Sequence, residues 1–312
     1  MTAPKLLRLG LRIPDGWEET LLWQLNEDGW GTGLQERRFQ AGHLDDEPVG
    51  PAGAPEVVFV LGLDDGDRFH KRMQELAVTY GWLPDQWQLT TSELEQDDWE
   101  NAWRKRWKPF RCGSFVIHAD FHRREDLPIK ASDIPMLLPI GSAFGTGGHP
   151  STRIALRALK RWWSEQPFDR MLDVGTGSGI LAVAAAKLGV KQNVGMDPDP
   201  PSPGQATLMA EQNGVGEQCH FWRGTLESTS GTWPVIFANL QSGLLQFYSH
   251  FLAQLSGNGT RLFTGGFMDK NESPTLQALD NAGFRLVRLH RHGRWRAAEL
   301  EFVRPSDVTR GG

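Results

Sequence analysis

Cysteine is nearly absent: the 312-residue chain has two, Cys112 and Cys219, and neither belongs to a Cys-x-x-Cys pair. Two thiols can build neither a disulfide framework nor a four-cysteine zinc site, and they suit a reducing compartment. Long apolar runs are missing as well; none approaches the roughly 20 residues that a membrane-spanning helix needs. Met1 to Leu11 has Pro4 and Arg8 but no apolar stretch followed by a small-residue cleavage site, which predicts a cytoplasmic protein. No internal repeat is evident. Positive charge is not in excess either, since the formal net charge is -5. Residues 1–90 carry 15 acidic against 8 basic side chains, residues 91–130 carry 8 of each, and residues 131–312 carry 15 against 17. The first segment repels a phosphate backbone, so no direct nucleic-acid partner is expected. Such a surface serves solubility or attracts a basic protein.

What is present suffices for a packed core. Hydrophobic residues make up 39% of the chain, and the length suggests two domains at about 150 residues each. In the first part, Leu7, Leu9, Leu11 and Ile13 alternate as in a strand that Pro14-Asp15-Gly16 stops. Glu18 to Asn26 carries Leu21, Leu22 and Leu25 at helical spacing. Val57 to Leu63 reads as a second strand and Asp67 to Tyr80 as a helix with Phe69, Met73, Leu76 and Ala77 on one face. Gly50, Pro51, Gly53 and Pro55 mark His43 to Pro55 as a loop. Strand–helix–strand used twice predicts a small α+β, ferredoxin-like (split βαβ) domain over residues 1–90. Residues 91–130 read as a linker. Trp99, Trp103 and Trp107 lie at i, i+4 and i+8, which predicts an amphipathic connecting helix with its tryptophans on one face.

Residues 131–304 alternate strand and helix at the length of doubly wound units. Strands are expected at Arg170 to Val174, Val194 to Met196, Val235 to Ala238, Thr260 to Thr264, Phe284 to Leu289 and Ala297 to Val303. Helices fall at Gly179 to Leu188, Ala206 to Asn213, Leu244 to Leu255 and Thr275 to Ala282. Residues 305–312 read as a disordered tail.

The strongest chemical signal is Asp173-Val174-Gly175-Thr176-Gly177-Ser178-Gly179, between a strand and an apolar helix. Glycines at the carboxyl end of such a strand let the backbone approach a ligand closely. Asp197 ends the next strand, where a carboxylate can accept both hydroxyls of a ribose. Ile180 stands where a dinucleotide fingerprint has Gly or Ala, and the carboxylate of Asp173 would repel a pyrophosphate. The same acid suits a cationic cofactor, which points to S-adenosyl-L-methionine (AdoMet). Phe144-Gly145-Thr146-Gly147-Gly148-His149-Pro150-Ser151-Thr152 feeds a capped helix N-terminus, suited to a carboxylate. His149 reads as structural, since no second metal ligand stands at a familiar spacing; no metal is expected. Asn239, ending Phe237-Ala238-Asn239-Leu240, can accept a hydrogen bond from a nucleophilic amine and align it.

With these motifs in order the chain resembles the ribosomal protein L11 methyltransferases. The likeness runs from Asp98-Trp99 through Trp107-Lys108-Pro109, Ala143 to Gly147 with His149-Pro150, and Leu172 to Leu181. It continues through Asn213-Gly214-Val215 and Ala238-Asn239-Leu240 to Gly243. The resemblance implies a Rossmann-like, seven-stranded α/β AdoMet-methyltransferase domain behind a smaller N-terminal recognition domain. It implies N-methylation of lysine side chains or an N-terminal α-amine of ribosomal protein L11. The expected cofactor-binding set is Phe144, Thr146, Thr152, Asp173, Gly175, Gly177, Asp197 and Asn239, with Asn239 also catalytic. Asp97, Asp98 and His149 stand as candidate bases. Departures are Gly148 for the usual Thr, Thr176 for Cys, and Leu240-Gln241 for Ile-Leu. Prolines crowd 198–203, and three in four positions are expected to delay or distort the following helix. Two alternatives stay open: an AdoMet enzyme acting on another amine or a small molecule, and a non-catalytic interaction module that keeps the fold.

Overall fold

Alternate leucines place strand β1 (Lys5–Arg12) at the centre of a four-stranded sheet, because Leu7, Leu9 and Leu11 all face one core. The computed structural model describes residues 5–14, 34–36, 56–95, 109–123, 129–139 and 149–304, with isolated residues between 21 and 30 and at 125 and 127. It divides into two compact units, Met1–Lys108 and Pro109–Gly312.

In the first unit β2 (Leu34–Glu36), β3 (Glu56–Gly62) and β4 (Gln88–Glu95) join β1 in the order β2-β3-β1-β4, every neighbouring pair antiparallel. That is the strand order of the split βαβ sandwich. Helix α1 (Gly66–Thr79) buries Phe69, Met73, Leu76 and Ala77, spaced i, i+4, i+7 and i+8, in the same core as Leu21, Leu25 and Phe59. Because β4 runs to Glu95, this sheet extends past residue 90. Most of Glu18 to Asn26, the loop at His43 to Pro55, the tryptophan helix at 99–107 and the tail 305–312 lie outside the described residues.

The second unit opens with β5 (Phe110–Cys112), β6 (Phe115–Ala119) and β7 (Ile134–Leu138) in one small sheet, antiparallel then parallel. The expected linker therefore contributes strands at both ends. Phe115, Val116 and Ile117 are almost wholly buried, which is why that stretch does not run as an open connector. After α2 (Pro150–Glu165) come β8 (Arg170–Val174), α3 (Ile180–Leu188), β9 (Gln192–Asp197), α4 (Ser202–Gln212) and β10 (Cys219–Arg223). The chain then crosses to β11 (Trp233–Asn239), α5 (Ser242–Gln254), β12 (Ser256–Met268), α6 (Glu272–Asn281), β13 (Phe284–His292) and β14 (Trp295–Phe302).

The large sheet has the order β10-β9-β8-β11-β12-β14-β13. It is parallel from β10 to β12 and closes with an antiparallel β14 against β12 and β13. Strand order reverses between β8 and β11, the place where open α/β sheets bind ligands. Helix α3 is buried from Ile180 to Ala186; its alanines allow close packing, and Ile180, Leu181 and Val183 contribute about 1.5–3 kcal/mol each by burial.

The prolines at 198–203 neither delay nor displace α4. The helix starts at Ser202, with Pro201 as its cap and Pro203 in its first turn, where proline's missing N–H costs no hydrogen bond. On the far side, buried Glu299 of β14 accepts hydrogen bonds from Trp162 Nε1 (2.9 Å), Arg161 and His290. Burial opposes its charge, but the three donors outweigh burial and hold the carboxyl at about 2. The network fastens α2 to β14 and β13.

Candidate functional site

Gly175, Gly177 and Gly179 have φ of 67°, 53° and 78°, a left-handed region that side chains resist. The alternation coils the chain tightly between β8 and α3. Backbone N–H groups of Gly175 and Thr176 donate to Met196 O at 2.9 and 3.0 Å, tying the loop to the end of β9. One Asp197 carboxylate oxygen accepts from Gly177 N at 2.9 Å and the other from Asp199 N at 3.0 Å. A carboxylate offers about four lone-pair positions, so acceptor capacity remains for a ligand. Burial pushes the Asp197 carboxyl upward, while the Asp199 and Gly177 N–H groups oppose that.

Close packing explains two glycines of this region. A Cβ on Gly179 would stand 2.8 Å from Ala206 Cβ, and one on Gly195 would stand 2.7 Å from both Thr176 Oγ1 and Phe221 Cδ1. Thr176 fills the space that Gly195 leaves and donates its hydroxyl to Asp173 Oδ2 at 2.8 Å.

Asp173 is 1% exposed. Burial pushes its carboxyl up to about 7, against the Thr176 hydroxyl and the Ala182 N–H, with the charge of Asp197 adding to the rise. It braces the glycine loop from inside. Between pH about 4 and about 7 the folded chain holds a proton on Asp173 that the unfolded chain releases, so stability falls as pH rises through that window. An Asp173→Asn variant has no such proton to lose. Its melting temperature relative to the parent is expected to climb from pH 4 to pH 8 in scanning calorimetry. A difference that does not change with pH would mean Asp173 is ionised throughout.

His149 caps α2: its Nδ1 accepts from Ser151 N at 3.3 Å and lies 2.7 Å from Ser151 Oγ. Its ring packs edge-on against Trp295 with centroids 4.3 Å apart. Those contacts support the structural reading of this histidine. Thr152 is buried in the first turn of α2. Phe144, Thr146, Asp97 and Asp98 lie outside the described residues.

Asn239 ends β11 beside the carboxyl ends of β8 and β12. Its Oδ1 is buried without a hydrogen-bond partner among the described residues. An orphaned acceptor at the switch point fits a ligand or substrate that brings its own N–H. Next in sequence, Leu240 lays its Cδ2 2.4 Å from where a Gly175 Cβ would stand. The structure thus gathers Asp173, Gly175, Gly177, Asp197 and Asn239 at one end of the sheet. A groove along the opposite strand ends, lined by Phe168, Arg170, Trp233 and Arg261 among others, holds none of the expected residues. Gly265 and Gly266 leave room for Asn239 and Leu240, and nothing in the sequence pattern ranks that Gly-Gly pair above ordinary punctuation. Among the described residues, no group of three or more His, Cys, Asp or Glu side chains is arranged to hold a metal.

The family model of the ribosomal protein L11 methyltransferases (PrmA) matches residues 19–302. A ribosomal protein L11 methyltransferase of Thermus thermophilus is 38% identical over 207 residues, 65% of this chain and 77% of that protein. One of Pelotomaculum thermopropionicum is 33% identical over 247 residues, 78% of each. Among solved structures, a ribosomal protein L11 methylase from Lactobacillus delbrueckii subsp. bulgaricus shares the fold with a TM-score of 0.57 and 24% identity, over 64% of this chain and 99% of that one. A match running through both units, joined to a glycine loop, a ribose-suited acid and an orphaned asparagine at one switch point, places the chain in the ribosomal protein L11 methyltransferase family.

Proposed function

We propose that this protein transfers methyl groups from AdoMet to amines of ribosomal protein L11, on lysine side chains or the N-terminal α-amine. The family match carries the reading, and the orphaned Asn239 oxygen supports it. When bound, AdoMet would supply an electrophilic methyl on its sulfonium, to which an amine lone pair could bond as the C–S pair leaves with sulfur. Asp197 would hold the ribose hydroxyls with its spare lone pairs. Gly175 and Gly177 would let the backbone approach, and Asp173 would keep their loop in place. Phe144, Thr146, Thr152 and Asn239 complete the proposed cofactor-binding set.

Only a neutral amine attacks, and lysine starts near pKa ~10.4, an α-amine near ~7.7–8.0. Exclusion of water lowers both. An N–H of the amine then donates to Asn239 Oδ1, which aims the lone pair; no side chain is assigned as base. The net negative charge of residues 1–90, with 15 acidic against 8 basic residues, suits recognition of a basic protein by that region. No nucleic-acid contact and no membrane attachment is part of this reading. No helix among the described residues is long and apolar enough to cross a bilayer. The proposed compartment is the cytoplasm.

Incubation with labelled AdoMet and purified L11 tests the proposal. Label is expected on L11, and Asn239→Ala is expected to slow its transfer on the order of tenfold to a hundredfold. No label with AdoMet still bound would move the activity to another amine or a small molecule. No AdoMet binding would leave a non-catalytic interaction module.

A further inference from the structure

Gly265 lies opposite Asn239 in the parallel register of β11 and β12. The register of β12 against β14 slips between Gly265 and Phe267, and Gly266 at that slip has φ of 85°. Bulges of this kind recur beside active sites, where they re-aim side chains. A Cβ on Gly265 would stand 2.8 Å from Asn239 Oδ1, 3.1 Å from Phe263 Cε1 and 3.6 Å from Ala297 Cβ. A Cβ on Gly266 would stand 3.0 Å from Leu240 O and 3.4 Å from Asn239 Oδ1. The Asn239 carboxamide therefore occupies a recess made by two missing side chains.

Gly265 lies outside the left-handed region, so backbone freedom does not call for glycine there. The tightest demand comes from the Asn239 side chain. That oxygen has no hydrogen bond among the described residues to fix its rotamer, which leaves the fit of the recess to do so.

We propose that Gly265, backed by Gly266, is a positioning residue for methyl transfer. By lacking a side chain it sets the rotamer in which the Asn239 carboxamide meets the acceptor amine. The proposal rests on Asn239 aligning that amine, as argued above.

A double-mutant cycle on the full chain separates the two ideas. Four proteins are compared: the parent, Gly265→Ala, Asn239→Ala and the double variant. Turnover on L11 is normalised to AdoMet-binding sites counted by calorimetry, and melting temperature is read on each. Gly265→Ala is expected to lower kcat on the order of tenfold in the parent and by less than about twofold in the Asn239→Ala background. Its melting temperature should fall in the parent and fall less in that background, because the nearest contact, Asn239 Oδ1, is gone while Phe263 Cε1 remains at 3.1 Å. Equal losses in both backgrounds would overturn the role of Gly265 while leaving Asn239 intact. An Asn239→Ala chain as active as the parent would overturn both. A Gly265→Ala chain that has lost AdoMet binding would make the residue a fold determinant and overturn the assignment.

Discussion

An Asp197→Asn chain should bind AdoMet about a thousandfold more weakly than the parent, nearly as badly as Asp197→Ala, with its fold retained. Both carboxylate oxygens of Asp197 already accept backbone N–H groups, from Gly177 at 2.9 Å and Asp199 at 3.0 Å. An amide has one acceptor oxygen, so its NH2 must face one of those two donors. Either the Gly177 or the Asp199 contact becomes donor against donor. The side chain then turns and carries no charge, so neither ribose hydroxyl keeps its charged acceptor. Two hydrogen bonds to a charged group are worth roughly 3–6 kcal/mol together, and a thousandfold is about 4.1 kcal/mol. Calorimetric titration with AdoMet measures it. An Asn variant binding within tenfold of the parent would mean that the ribose is held elsewhere.

Gly175→Ala is expected to do comparable damage by a different route. Gly175 sits at φ of 67°, which costs an L-residue roughly 1–2 kcal/mol. The new Cβ would also meet Leu240 Cδ2 at 2.4 Å, and overpacking of that kind costs typically ~1–3 kcal/mol. The loop must move away from β11 or Leu240 must swing out, and either shift deforms the surface that AdoMet uses. The two costs can be separated. Leu240→Ala in the same chain removes the collision and leaves the backbone strain, so it should restore about tenfold of a roughly thousandfold loss in affinity. A Gly175→Ala chain with parental affinity would place the cofactor away from this loop.

Why these residues were legible follows from burial. β8 and β11 are buried along most of their length, so Met171-Leu172 and Val235-Ile236-Phe237-Ala238 read as short apolar runs, and the glycine loop between β8 and α3 has few other uses. β10 was not read as a strand. At the sheet edge, Cys219–Arg223 alternates irregularly between buried and open positions, and its histidine, tryptophan and arginine show no clean period. β12 was expected only at Thr260 to Thr264, because Gly257-Asn258-Gly259 and Gly265-Gly266 look like punctuation; the strand runs through both, from Ser256 to Met268. The role of Asp173 was half legible. Its type and position pointed to the site, but which way a strand carboxylate turns is decided by Thr176 and Ala182, residues that pattern alone does not rank. Gly265 was illegible for a plainer reason: what it contributes is an absence, visible only once Asn239 fills it.

The boundary between β8 and β11 also separates two kinds of chemistry. In the proposed site, grip on the cofactor would fall mainly to β8, β9 and the loops above them, whereas alignment of the acceptor would fall to β11 and the bulge of β12. Those halves are built from different stretches of chain, joined where β8 pairs with β11 and where Leu240 rests on Gly175. Changes on one side can thus retune affinity while changes on the other retune turnover. A lineage of such enzymes is free to drift toward new acceptors without rebuilding its hold on the methyl donor.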